Sequence, residues 1–190
     1  AKRGVLFSIL SIVYTLLMNE PQTISSEIMQ EVIVFANSGT VPNDIQMAGF
    51  NRRIDALMKV DPSDAYMILG ALYCIKGDAE SSVKYHEVSL SYGMNIELVT
   101  NYITSLLALN IPEKAFSLID DGYNTFPDSI EFLESASTVL FQVGRVEKFI
   151  EYANKLKKLY VGERYKSQAE YNNHLLLLAN QLREGVSLNG

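Results

Sequence analysis

The stretch Ala65–Asp78, AYMILGALYCIKGD, decides how the chain is read. It is mostly apolar, carries Gly70 in its middle and closes on Gly77-Asp78. It could be a core helix, a piece of membrane span or half of a repeat, and a count outward from Ser63 separates these. With Ser63 as position 1, Tyr66 is position 4, Leu69 is 7, Gly70 is 8, Tyr73 is 11, Gly77 is 15, Ser82 is 20, His86 is 24 and Ser89 is 27. From Ile96 the same positions hold Val99, Tyr102, Ile103, Leu106, Asn110, Ala115, Ile119 and Gly122, with Pro127 at 32. From Ile130 they hold Leu133, Ala136, Ser137, Leu140, Gly144, Phe149, Ala153 and Leu156. The turn residues Gly77, Asn110 and Gly144 thus all fall at position 15.

This register resembles the tetratricopeptide repeat, whose period is about 34 residues. Tyr66, Leu69-Gly70, Tyr73 and Gly77 carry the likeness in the first segment, and Ala115 and Pro127 in the second. Position 8 becomes Ile103 and then Ser137, and position 20 becomes Phe149 in the third, without a shift of register. The resemblance covers about half the chain, residues 63–163, as three repeats. It implies an all-α fold: a helical-repeat superhelix, or α-solenoid, with capping helices at both ends. The pattern has a physical basis. Small residues at 8, 20 and 27 let two antiparallel helices approach, and large ones at 4, 7, 11 and 24 fill the space between. Position 15 leaves the helix in the left-handed region, which suits Gly or Asn. The opening stretch is then the first helix of a repeat, Gly77 is its stop, and Gly70 is a contact point despite a propensity cost of about 1 kcal/mol.

The flanks read as caps. Residues 1–62 hold N-terminal helices that include a degenerate repeat. Pro42-Asn43-Asp44 opens a helix to about Val60, with Phe50, Ile54 and Leu57 on one face; Pro62 ends it where position 32 should fall, as for the second helix of a repeat. Thr23 to about Asn37 gives another, with Ile24, Ile28, Val32 and Phe35 on one face and Ser38-Gly39 as its stop. Residues 164–190 are the C-terminal cap and tail. A long helix over Gly162–Glu184, with Tyr165, Ala169, Leu175, Leu176, Ala179 and Leu182, covers the open face of the last repeat, and Gly185–Gly190 fray. Val5–Met18, VLFSILSIVYTLLM, follows Lys2 and Arg3 like the apolar part of a leader, but Asn19-Glu20-Pro21 is no cleavage site. The run is too short for the roughly 20 residues of a bilayer span. Ser8, Ser11 and Thr15 mark one narrow face of what reads as a core or interface helix. Membrane association is the less favoured alternative.

Composition narrows the function. Of the 190 residues, 48% are apolar and 20% charged, so the chain can bury a large core. The net charge is −6. Residues 61–134 carry three basic against twelve acidic side chains, and residues 145–190 eight against five. A surface polarised in this way suits protein partners and excludes general nucleic-acid binding. Cys74 is the sole cysteine, so no internal disulfide or cysteine-zinc cluster forms, and the expected setting is cytoplasmic. The sequence contains no phosphate loop, dinucleotide fingerprint, HExxH or GxSxG. His86 occupies a packing position and reads as a satisfied, partly buried ring. Cys74 has no histidine beside it, the acidic pair Asp120-Asp121 reads as a solvated face, and most of the eleven tyrosines read as core. No enzyme activity, cofactor or metal is expected.

The resemblance places function on a concave groove lined by positions 2, 5, 9, 12 and 13 of each first helix. These are Asp64, Met67, Ala71, Cys74 and Ile75; then Glu97, Thr100, Thr104, Leu107 and Ala108, with Asn101 beside them; then Glu131, Glu134, Thr138, Phe141 and Gln142. Met67, Ile75, Leu107 and Phe141 give an apolar floor, and the acids one lip. Such a groove suits an apolar or amphipathic protein segment with basic flanks. The competing reading is a groove filled by the chain's own capping helices. Only Asn101 resembles the residues with which some family members clamp a carboxylate, so recognition of heat-shock tails is not expected. The functional expectation is a non-enzymatic scaffold or adaptor, a subunit of a larger secretion, pilus or envelope assembly and peripheral to its membrane. The alternatives are a small secretion chaperone for an apolar client, resembling the class II chaperones of type III secretion and dimerising through its N-terminal helix, or an antitoxin-like regulator.

Overall fold

The structure, a computed structural model, describes residues 23–185. Among them it is all helical, with nine α-helices and one 3-10 turn. The chain divides into two compact units, the first running to Gly122 and the second starting at Tyr123. The expected helix Val5–Met18 and the tail from Val186 lie outside the described residues.

In the first unit, α1 (Ile24–Ser38) starts from a reciprocal cap in which Thr23 Oγ1 accepts from Ser26 N and Thr23 N donates to Ser26 Oγ. Gly39 ends it at φ 66°, donating to Ala36 O. Ile24, expected on the buried face, is exposed; α1 buries Ile28, Met29, Val32 and Ile33 instead. The buried stripe is wider than the Ile28–Val32 row because α1 packs on two neighbours, α2 (Asp44–Leu57) and α3 (Pro62–Ile75). As expected, α2 buries Phe50, Ile54 and Leu57. Pro62 opens α3, capped by Asp61, as suits a residue with no N–H to leave unpaired.

The hairpin of α3 and α4 (Ala79–Leu90) closes on small residues. A Cβ at Gly70 would stand 2.3 Å from His86 Nδ1. Ser82 Oγ donates to Gly70 O at 2.8 Å, and Ser89 Oγ to Ser63 O at 2.7 Å. These are positions 1, 8, 20 and 27 of the register, now seen as points where two backbones meet. Next, α5 (Ile96–Ala108) packs on both α3 and α4. It leads through Asn110, at φ 61°, into α6 (Pro112–Thr125).

In the second unit, α7 (Ile130–Gln142) and α8 (Val146–Leu159) pair around Phe132, Leu133, Leu140, Phe149 and Leu156. Gly144, at φ 77°, ends α7. The expected single helix from Gly162 is instead a 3-10 turn, Glu163–Tyr165, followed by α9 (Lys166–Arg183). It packs on α8 and buries Asn172, Leu176 and Ala179, while Leu182 is exposed. Asn172 Nδ2 donates to Ala153 O at 2.8 Å, so α8 and α9 are tied by a buried hydrogen bond as well as by apolar contact.

The helices α3, α5 and α7 begin at Pro62, Ile96 and Ile130, at equal intervals along the chain. Consecutive helices pack on one another within each unit, which is the behaviour of an α-helical repeat. The tyrosines divide, where most were expected in the core. Tyr102 and Tyr152 are buried, but Tyr92, Tyr66, Tyr85 and Tyr73 stack in a row along α3 and α4. No helix among the described residues is long and apolar enough to cross a membrane.

Candidate functional site

One face of α3 carries Ala71, Cys74 and Ile75, and one face of α5 carries Asn101, Thr104, Ser105 and Ala108. The spacings of three and four put each set on one side of its helix. In the first unit these two faces and a third, from α1, enclose a groove of about 250 Å³. The α1 wall comprises Met29, Val32, Ile33, Phe35 and Ala36, with Gly39 and Thr40 just past its end. None of the described lining residues is charged.

The polar groups of the wall are mostly turned inward. Thr104 Oγ1 donates to Thr100 O at 2.8 Å, and Cys74 Sγ to Ser105 O at 3.7 Å. Burial pushes the Cys74 thiol up to about 11, so the thiolate is scarce at neutral pH and the side chain serves as an apolar surface. Behind the groove, His86 is fully buried, where partial burial was expected. Its Nε2 lies 3.0 Å from Asn101 Oδ1, and Asn101 Nδ2 lies 3.5 Å from Met29 Sδ. Asn101 therefore links the core to the groove wall.

Six of the residues expected in the groove meet there: Ala71, Cys74, Ile75, Asn101, Thr104 and Ala108. Met67 does not form its floor. It is 1% exposed and belongs to the core cluster with Ile28 and Met29, because α1 covers that turn of α3. Thr100 is buried as well, and Glu97 and Leu107 are half-buried outside the lining. Asp64 is held beside Ser25 of α1, and burial raises its pKa above the usual carboxylate value.

The third set belongs to the second unit and is placed there by local contacts. Glu131 is exposed. Glu134 accepts from Tyr160 Oη at 2.8 Å, and burial raises its pKa. Thr138 Oγ1 donates to Glu134 O, Phe141 packs on Phe149 with centroids 4.9 Å apart, and Gln142 is half-buried.

The reasoning from sequence missed the α1 wall. Gly39 stops α1 in the same left-handed conformation as Gly77, but the stretch between the two exceeds one period by about a turn of helix. That extra turn hides α1 from a search at fixed period. Among the described residues, α1 forms a wall of the groove and does not fill it. Among the described residues, no group of three or more histidine, cysteine or carboxylate side chains could hold a metal ion. Comparisons with protein-family models, curated proteins and solved structures find no match to the chain.

Proposed function

We propose that this chain is a tetratricopeptide-like, non-enzymatic scaffold that docks an apolar segment of a partner protein in the groove between α1, α3 and α5. The observation that carries the reading is the groove itself: a slot of about 250 Å³ with no charge among its described lining residues, walled by helix faces, with Ala71, Cys74, Ile75, Asn101, Thr104 and Ala108 on two of the three described sides. Apolar area in such a slot is removed from water by a segment that fills it. The equal intervals between helix starts, and the left-handed Gly77, Asn110 and Gly144, support the repeat assignment.

The test is capture from native cells with the wild-type chain, Ile75→Glu in the groove and Lys84→Glu on the exposed side of α4. A docking groove loses its partner in Ile75→Glu and keeps it in Lys84→Glu, with the helical circular dichroism signal unchanged in both. A partner retained by Ile75→Glu at wild-type level would remove the groove from the mechanism.

A further inference from the structure

The buried ring of His86 bears on the chemistry that the groove presents. It stacks on Tyr102 with centroids 4.6 Å apart and planes 3° from parallel. Nδ1 lies 2.9 Å from Ser82 O, and Nε2 lies 3.0 Å from Asn101 Oδ1. Both neighbours, so placed, are acceptors. A neutral imidazole has one N–H to give, and only an imidazolium has two. The ring here is neutral. Burial holds its pKa below the usual 6.5, and the two groups that oppose burial, Asn101 and the Ser82 carbonyl, are uncharged.

Ser82 O is a main-chain carbonyl and can only accept. The single proton therefore sits on Nδ1, and Nε2 is a lone pair. An oxygen 3.0 Å from that lone pair would have no proton between them. The oxygen and nitrogen of a carboxamide are distinguished by the hydrogen bonds they make. The arrangement that satisfies the ring has Asn101 turned end for end, with Nδ2 donating to Nε2. Oδ1 then takes the outer position, beside Met29 Sδ, where the thioether has no proton to offer. Asn101 is 7% exposed and lines the groove. The protons of Thr104 and Cys74 are already directed to Thr100 O and Ser105 O. Among the described residues no donor lies beside the amide oxygen, a buried acceptor on a residue that lines the slot.

We propose that Asn101 Oδ1, oriented by the Nδ1–H form of His86, is the recognition acceptor of the groove, and that the partner segment brings one N–H or O–H donor to it among apolar contacts. This rests on the docking reading and adds its selectivity. An occupant with a donor at the depth of Met29 pairs the acceptor. A purely apolar one leaves it desolvated and unpaired, which is the stronger form of discrimination.

Two measurements on the full chain test it. Nitrogen NMR of the His86 ring near neutral pH should show the Nδ1–H tautomer. Indole and benzofuran, similar in size and shape, serve as probes that differ in one N–H. Indole should bind about twofold to tenfold tighter, the range for one net hydrogen bond, with shifts at the methyls of Val32, Ile33 and Ile75. The Nε2–H tautomer, a doubly protonated ring, equal binding of the two probes, or no shift at those methyls would each overturn the proposal. The Ile75→Glu capture experiment judges docking separately, because it does not depend on the state of His86.

Discussion

Gly70 and Gly49 both lie inside helices, yet an added methyl group should act on them in opposite directions. At Gly70 the new Cβ would fall 2.3 Å from His86 Nδ1 and 2.8 Å from Cγ of the same ring. The ring cannot step aside, because Ser82 O, Asn101 and Tyr102 hold it on three sides. Gly70→Ala should lose about 1–3 kcal/mol in urea unfolding, since overpacking exceeds the gain in helix propensity. At Gly49, within α2, nothing lies within 4 Å of the added carbon. Gly49→Ala should gain up to about 1 kcal/mol. The same buried ring gives a pH dependence. His86 has a folded-state pKa depressed below 6.5 by burial, so the native state binds fewer protons than the unfolded one. Its contribution to stability is fully present above pH 6.5 and is lost as pH falls from there through the folded-state value. One proton sets a limit of about 1.4 kcal/mol per pH unit. Unfolding free energies between pH 8 and 5 should therefore fall more steeply in the wild type than in His86→Gln, and parallel slopes would contradict it.

At the scale of the element, the most legible features were those fixed by backbone sterics. Gly77, Asn110 and Gly144 were expected to leave their helices left-handed, and their φ values are 75°, 61° and 77°. An L side chain in that region is strained, whereas asparagine tolerates it better than most. Gly77→Ala should therefore cost about 1 kcal/mol with no Cβ clash, and Asn110→Gly should be close to neutral; paired thermal melts would show both. Part of the face of α3 and α5 that lines the groove was also anticipated, through the groove positions that the resemblance implies, though Ser105 was not among them. What could not be read was α1 as the third wall. Its apolar row was visible, but the longer stretch between Gly39 and Gly77 put it off the period. Periodicity also cannot say how many neighbours a helix has. That is why Ile24 was placed inside and Met67 in the groove, when contacts of α1 with both α2 and α3 decide each position. The orientation of the Asn101 amide was beyond reach for a similar reason. It depends on which ring atom of His86, on a different helix, faces it.

For the molecule as a whole, α3 connects the core of the first unit to its groove, and two substitutions on it separate folding from docking. Met67 and Ile75 lie about two turns apart on the same helix. Met67 is 1% exposed and belongs to an apolar cluster that joins α1, α2, α3 and α5. Met67→Glu removes a buried side chain, at about 2–5 kcal/mol, and adds the desolvation of a carboxylate. Together these approach the roughly 5–15 kcal/mol that holds a typical domain folded. Ile75 is half-buried on the groove wall, where a glutamate can turn its charge to water, so Ile75→Glu should cost only about 1 kcal/mol. Circular dichroism and urea titration should find Met67→Glu with a large loss of cooperative helix and Ile75→Glu close to wild type. If Met67→Glu folded normally, α1 would not cover that turn of α3, and the groove would lose the wall that separates it from an open helix face.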